Sequence, residues 1–238
     1  MVKTQSRSTD KRRSRLPRAQ RTSDILRAAE EVLEQSGYEN AAVAEVARRA
    51  GVVEGTVYHY FETKRDLYVA VAEGWYKRVL DGMAPATRRG GVRAALREVI
   101  HRELLIIRAS PAVVRFILME VRPHPDYRHS RLFAMSREFT SEITRILTDG
   151  MASGELAEHL PMREARDMIF GGIEHRTWAF LRDEGDFDAE RAADAISHIV
   201  YNGLRNTSEG AAGEGHDALP ERVARLERVV ALLGEAKA

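Results

Sequence analysis

Two short amphipathic segments flank Gly51 in the sequence AEVARRAGVVEGTVYHYF, residues 44–61. Val46 in the first segment and Val57 in the second are spaced to pack against each other, and the glycine between them permits a sharp change of chain direction. Helices this short are unstable alone, so they must pack on neighbouring helices. The pattern of helix, tight turn and helix is typical of the helix-turn-helix unit, whose second helix enters the major groove of DNA.

The chain from about residue 22 onward has helical periodicity, and signals for β-strands are almost absent. Thr63 and Asp66 have the spacing of a capping box, and Ser110-Pro111, Pro161 and Asp188 mark further helix starts. The sequence therefore predicts an all-α fold. The predicted helices cover about 23–36, 43–50, 54–60, 63–82, 92–109, 111 to the break at Pro123–Pro125, 127–151, 161–184 and 188–206.

Charge is distributed unevenly along the chain, although the net charge is only +1. Residues 1–21 contain eight Lys or Arg and one Asp, a net charge of +7, whereas residues 22–66 carry −4 and residues 67–238 carry −2. A basic arm on a nearly neutral body indicates a polyanionic partner or, equally, a solubilising tail. If the partner is DNA, we expect the arm to supply much of the salt-dependent affinity.

The composition also excludes several classes of protein. The chain has no cysteine, so disulfides and thiolate metal sites are ruled out and a cytoplasmic location is expected. We expect no membrane span and no secretory signal, because the apolar runs are short. The usual hydrolase, phosphate-loop and zinc-protease motifs are missing, and His124 and His129 form only a weak metal pattern. We predict no catalytic site, no metal site and no required cofactor.

The residues around the second helix of the motif have side chains suited to DNA. The start of helix 54–60 offers free amides to a phosphate, Gly55 permits close approach of the backbone, and Thr56 supplies a hydroxyl group. The predicted DNA-contacting residues are Arg21, Glu45, Arg48, Glu54, Gly55, Thr56, Tyr58, His59, Tyr60 and Lys64.

Residues 22–80 closely resemble the DNA-binding domain of TetR-family transcriptional regulators. The likeness rests on Val46 to Val52, on the run GTVYHYF at 55–61, and on Lys64, Asp66 and Leu67. The sequence departs from the family pattern at Ala42-Val43, where members often have a Thr-Thr or Thr-Val pair, so the start of this helix lacks a Thr cap. The resemblance implies that the later helices form a domain for ligand binding and dimerisation.

That later part resembles the fatty-acid-metabolism repressors of the same family, which release DNA on binding long-chain acyl-CoA. The likeness rests on Glu120 to Arg122 and on residues 146–156, 163–180 and 186–204. Each apolar candidate also suits an ordinary core, and the charged ones suit buried ion pairs. The candidate ligand-binding residues are Leu104, Ile107, Phe116, Met119, Arg122, Phe133, Met168, His175, Arg176 and Trp178.

Two helices near the end of this region have apolar stripes suited to a homodimer seam of four helices. The candidate dimerisation residues are Phe170, Ile173, Ala192, Ile196, Ile199, Val200 and Gly203. A Gly-rich linker then leads to an amphipathic segment at 219–236, which suits packing on the protein itself or on a partner.

These observations divide the chain into four parts. We predict a basic disordered arm (1–21), a helix-turn-helix domain (22–66, connecting helix 63–82), a ligand-binding and dimerisation domain (83–207), and a linker with a C-terminal amphipathic helix (208–238). The leading hypothesis is a repressor that binds a palindromic double-stranded DNA operator as a homodimer and is released by a small-molecule effector of the acyl-CoA type. The alternative is a DNA-binding or architectural protein without a small-molecule switch.

Overall fold

The computed structural model describes residues 17–86 and 89–206, and these residues form nine α-helices, as the all-α prediction required. The basic arm up to residue 16 and the linker and helix predicted over 208–238 lie outside the described residues. The helices are α1 (Arg18–Asn40), α2 (Val43–Arg49), α3 (Glu54–Tyr60), α4 (Lys64–Gly82), α5 (Gly91–Ala109), α6 (Pro111–Phe116), α7 (Arg131–Ala152), α8 (Met162–Leu181) and α9 (Ala189–Leu204).

Helices α1 to α4 pack as the sequence predicted. α1 lies against α2 and α4, and α2 lies against α3. The capping box at the start of α4 is confirmed, because Asp66 N–H donates to Thr63 Oγ1 at 3.0 Å and Thr63 N–H donates to Asp66 Oδ2 at 3.1 Å. α2 begins without a side-chain cap at Ala42, as its sequence indicated.

The first helix begins earlier than predicted. It starts at Arg18, directly after Pro17, so residues 18–21 of the predicted arm form a helical turn instead. Thr22 Oγ1 donates to the carbonyl oxygen of Arg18 at 3.0 Å within that turn. Helical geometry is interrupted at Gly37, where φ is 68°, which agrees with the predicted stop at this glycine.

The region between α5 and α7 differs most from the prediction. Ser110 precedes α6, but its side chain makes no capping hydrogen bond. The carboxylate of Glu34 in α1 caps α6 instead, since it accepts hydrogen bonds from the backbone of Ala112 and Val113. α6 then continues into a π-helical turn over Ile117–Val121, in which Arg122 N–H donates to Ile117 C=O at 2.9 Å.

α7 begins at Arg131 rather than near residue 127, because Pro125–His129 form a 3-10 turn. The Ser130 hydroxyl accepts from Phe133 N–H at 3.2 Å and caps the new helix start. α8 ends at Leu181, earlier than predicted, as the chain turns through Asp183 with φ at 58°. The predicted cap of α9 is confirmed, with Asp188 Oδ1 accepting from Arg191 N–H at 3.0 Å.

Two clusters of buried apolar side chains hold the helices together. The first cluster joins α1 to α4 with α6, the π turn and the start of α7. The second joins α5, α8 and α9 with the rest of α7. α4 and α6 therefore share one buried cluster with the helix-turn-helix. None of the helices in residues 17–86 and 89–206 is long and apolar enough to cross a membrane.

Candidate nucleic-acid interface and internal cavity

The second helix of the motif, α3, is attached to the protein by one buried side chain. Val57 is 1% exposed, and the turn before it closes with a hydrogen bond from Val52 N–H to Ala47 C=O of 2.9 Å. Gly51 has φ at 66° in this turn, a conformation that strongly favours glycine. The rest of α3 therefore presents its polar groups outward. Exposed residues are Glu54, Gly55, Tyr58 and His59, with Thr56 and Tyr60 half-buried.

Three charged residues of α2 form a network beside α3. Glu45 accepts from Arg48 through both carboxylate oxygens at 2.7 Å, and from Arg49 Nε at 2.7 Å. The hydrogen bonds from Arg48 and then Arg49 lower the pKa of Glu45 to about 2. Glu45 and Arg48, both predicted to contact DNA, are thus already bonded to each other in the free protein.

Lys64 also makes contacts within the protein. Its Nζ donates to the carbonyl oxygen of Glu39 at 3.1 Å and lies 4.7 Å from the centre of the Tyr38 ring. The Tyr38 ring is in turn 4.7 Å from the Phe116 ring and 5.6 Å from the Tyr68 ring, measured between centroids. The ammonium predicted to bind a phosphate therefore rests on an aromatic cluster that reaches α6.

The described end of the basic arm lies next to α3. The guanidinium carbon of Arg18 is 5.5 Å from the centre of the Tyr60 ring, whereas Arg21, the predicted contact, is half-buried in α1. Arg18 belongs to the arm that was expected to supply DNA affinity, but it was not singled out as an individual contact residue. Its basic neighbourhood was visible in the sequence, but its position over Tyr60 depends on where α1 begins.

A cavity of about 70 Å³ lies between α4, α5, α6, the π turn, α7 and α8. Its wall is mainly apolar and draws on both buried clusters. The lining residues are Trp75, Tyr76, Glu103, Ile106, Ile107, Val114, Ile117, Leu118, Arg122, Ser136, Phe139, Thr140, Phe170, Ile173, Glu174 and Thr177. The volume is well below the roughly 300–1,000 Å³ of pockets that hold small molecules, so a long ligand requires these side chains to move.

Charged and polar side chains also line the cavity. Arg122 donates to Glu174, and the ion pair also lines an adjoining open cleft of about 340 Å³. Glu103 is only 4% exposed, and burial raises its pKa to about 8. Burial likewise raises the pKa of Tyr76, whose hydroxyl is hydrogen-bonded to Ser136.

The predicted ligand-binding residues do not all lie at one site. Ile107 and Arg122 line the cavity, and His175 and Trp178 line the adjoining cleft. Leu104 and Phe116 are buried core residues beside the cavity and are not part of its lining. The remaining four lie elsewhere: Met119 and Met168 are exposed, Arg176 lines a polar surface depression, and Phe133 packs on Tyr127.

The predicted dimerisation residues also divide. Phe170 and Ile173 line the cavity, and Ala192 is buried within the chain. Ile199 is 68% exposed and Gly203 is exposed, while Ile196 and Val200 are half-buried. Among the described residues, Ile199 of α9 and Met168 of α8, which is 71% exposed, are therefore large apolar side chains at the surface of these two helices.

The sequence reasoning missed Glu103, the aromatic wall of α4 and the π turn. Trp75 and Tyr76 were not among the predicted site residues, and Glu103, although it follows His101 and Arg102, lies at helical spacing on the apolar stretch of Val99, Ile100 and Ile107. A charged residue inside such a stretch is the signal that could have identified Glu103. The π turn has no comparable signal in the sequence.

Two family models match the chain. The model for bacterial regulatory proteins of the tetR family matches residues 25–71, and the tetracyclin repressor-like C-terminal domain matches residues 89–204. The chain is similar to a fatty acid metabolism regulator protein of Bacillus subtilis, with 25% identity over 183 residues, 76% of this chain and 94% of the relative. It is also similar to the transcriptional regulator RutR of Escherichia coli K12, with 28% identity, covering 83% of this chain and 96% of the relative.

Solved structures share the fold. FadR from Bacillus subtilis in complex with stearoyl-CoA superposes with a TM-score of 0.59 at 24% identity and covers 77% of this chain and 99% of the other. The fatty acid degradation regulator FadR from Bacillus halodurans superposes with a TM-score of 0.62 at 23% identity, over 78% of this chain and 97% of the other.

Proposed function

The chain belongs to the tetR family of bacterial regulatory proteins, and from that premise we propose that it is a transcriptional repressor released from DNA by a long-chain acyl-CoA. The observation that carries the proposal is the cavity, whose wall includes Trp75 and Tyr76 of α4 and the π turn after α6. Both elements share a core with the helix-turn-helix. The similarity to a fatty acid metabolism regulator supports the choice of ligand class.

DNA binding is assigned to the exposed face of α3 and the residues around it. Thr56, Tyr58 and the start of α3 contact phosphates, and His59 lies toward the bases. Glu45 holds Arg48 beside the groove, so the pair acts as one nearly neutral group. Arg18 on the Tyr60 ring starts the path of the basic arm along the DNA backbone.

The effector is assigned to the cavity and the adjoining cleft. The apolar wall suits an acyl chain once the cavity enlarges, and the cleft beyond Arg122 and Glu174 suits the polar head group. We leave Met119, Met168 and Arg176 out of the proposed site, since they are not part of the cavity lining. A ligand can shift the protein between two states only if it binds one of them more tightly. The effector fits only the enlarged form of this close-packed cavity, so it favours that form.

We assign the coupling between the two sites to α4 and the aromatic cluster. An acyl chain that displaces Ile117 moves its neighbour Phe116, which contacts Tyr38, and Tyr38 holds Lys64. Movement of α4 at Trp75 and Tyr76 also shifts Lys64, because Lys64 is the first residue of α4. In a homodimer formed through α8 and α9, this changes the spacing of the two α3 helices on a palindromic operator. Such a regulator acts in the cytoplasm.

A thermal-shift series on the full chain tests the effector. Stearoyl-CoA at about 100 times its dissociation constant should add about 2.7 kcal/mol to the free energy of unfolding if it binds only the folded state. Free CoA is the control and should leave the melting temperature unchanged. Stearoyl-CoA should also release the protein from DNA fragments selected with it from a random library.

The alternative is a DNA-binding or architectural protein without a switch. The presence of a cavity with both apolar and charged walls favours the switch. If no acyl-CoA raises the melting temperature while the selected DNA is still bound, the alternative is the correct description.

A further inference from the structure

A buried carboxylic acid stands at the polar part of the cavity. Glu103 lies in α5, is 4% exposed and lines the cavity together with Tyr76, Arg122 and Glu174. Isolated buried carboxylates are strongly unfavourable, so a position like this is retained at a cost in stability. Such a residue suggests a function in ligand binding.

The cations near Glu103 are bonded to other carboxylates. Arg102, its neighbour in the chain, donates to Glu142 and to the carbonyl oxygen of Ala84, the latter at 2.9 Å. Arg122 donates to Glu174.

The charged groups that act on Glu103 come from several elements: Arg102 in α5, Arg122 after the π turn, Glu142 in α7 and Glu174 in α8. The two arginines lower its pKa and the two glutamates raise it, but burial is the largest influence and raises the pKa to about 8. Glu103 is therefore mainly protonated at neutral pH, and a protonated carboxyl group has an O–H donor.

We propose that the Glu103 carboxyl group donates a hydrogen bond to a neutral carbonyl oxygen of the effector, and so selects an acyl thioester over the corresponding free fatty acid. This inference rests on the proposed function. A thioester carbonyl carries no charge into the cavity and accepts the bond. A fatty-acid carboxylate would bring a negative charge beside Glu174, and Arg122 is already neutralised by that residue.

The test compares two ligands that differ only at the carbonyl group. Stearoyl-CoA has the thioester carbonyl, and S-octadecyl-CoA is the thioether without it. Dissociation constants for the full-length wild type should favour the thioester about three- to tenfold, the range of one hydrogen bond. Free stearate should bind more weakly than either ligand.

Two variants test whether Glu103 causes the preference for the thioester. Glu103→Met has a similar length and no donor, so the two ligands should bind with equal affinity. Glu103→Gln keeps an N–H donor and should retain the preference. An unchanged preference in Glu103→Met, or none in the wild type, overturns the proposal.

The pH dependence gives an independent measurement if the Met variant folds poorly. Between pH 6.5 and pH 9 the wild-type preference should fall toward one as Glu103 loses its proton, while that of Glu103→Gln should stay constant. The phosphates are the same in both ligands, so their titration cancels in the ratio. A wild-type preference that is constant over this range contradicts the assignment. If the wild type binds neither ligand, the proposed effector class fails as well, whereas binding of both without preference overturns only the role of Glu103.

Discussion

The helix-turn-helix and the cavity differ in how their polar residues are placed. In the helix-turn-helix, one buried valine, Val57, anchors α3, and the polar side chains face outward. In the cavity, Glu103 is enclosed among apolar groups from six elements, and the half-exposed pair Arg122–Glu174 stands where the cavity meets the adjoining cleft. The first arrangement leaves polar groups exposed toward a charged partner, and the second makes a buried polar group sensitive to the packing around it.

The two regions also differ in how far apart their residues lie in the sequence. Apart from Arg18, the side chains that we propose to contact DNA lie within residues 45–64, whereas the cavity lining extends from Trp75 to Thr177. A short motif allows roles to be assigned one residue at a time. The cavity exists only where distant helices fail to fill the space between them, so neighbouring residues on one helix can have different roles there.

The largest expected effect distinguishes a core residue from a cavity-lining residue within α5. Leu104 is fully buried and Ile107 lines the cavity, although the sequence suggested the same role for both. Leu104→Ala should lower the free energy of unfolding by about 2–5 kcal/mol. Ile107→Ala should lower it by less, because part of its surface already faces a void, and should change stearoyl-CoA affinity. Chemical denaturation and ligand titration of both variants measure this, and equal losses of stability would contradict the distinction.

The next effect concerns the pH dependence of stability. The folded protein holds the Glu103 proton up to about pH 8, while the unfolded chain releases it at the ordinary pKa of a glutamate. Its contribution to stability is therefore present at low pH and is lost as pH rises, by up to about 1.4 kcal/mol per pH unit between about pH 4.5 and pH 8. Glu103→Gln should flatten the fall of unfolding free energy across this window. A slope identical to that of the wild type would show that Glu103 is ionised in the folded protein.

Two glycines of the helix-turn-helix should respond in opposite ways. Gly51→Ala should destabilise the protein by about 1–2 kcal/mol, because φ there is 66°. Gly55→Ala should stabilise it by up to about 1 kcal/mol, since the site is helical and a methyl group there meets nothing within 4 Å. If α3 approaches the DNA backbone at this point, Gly55→Ala should also weaken DNA binding. Melting curves and DNA titrations check the pair, and unchanged DNA affinity would place Gly55 away from the DNA.

The smallest effect tests the connection between the two regions. Tyr38→Leu removes the ring beneath Lys64 and should reduce the weakening of DNA binding by stearoyl-CoA about two- to fivefold, in line with a cation–π contact of roughly 0.5–1 kcal/mol. Tyr38→Phe keeps the ring and serves as the control. The ratio of DNA dissociation constants with and without ligand is the measurement, and an unchanged ratio in Tyr38→Leu would remove Tyr38 from the coupling route.

Local patterns in the sequence were sufficient for much of the fold. The positions of α2, α3 and α4, the capping box at Thr63 and the cap at Asp188 all depend on residues within about one turn of each other. The start of α6 shows the limit of such patterns. Ser110 has the right identity and position for a cap, yet the capping carboxylate comes from Glu34, which is distant in the sequence and near only in the folded chain.

The sequence by itself determined the helical class, the helix-turn-helix and its outward-facing residues, because a period of 3.6 residues, a glycine in a turn and a capping pair act over short distances. Only the tertiary structure decided which apolar residues line the cavity, that Lys64 rests on Tyr38, and that Glu103 is enclosed among helices. These properties depend on contacts between residues far apart in the chain, and the same leucine, lysine or glutamate would be ordinary in another packing arrangement.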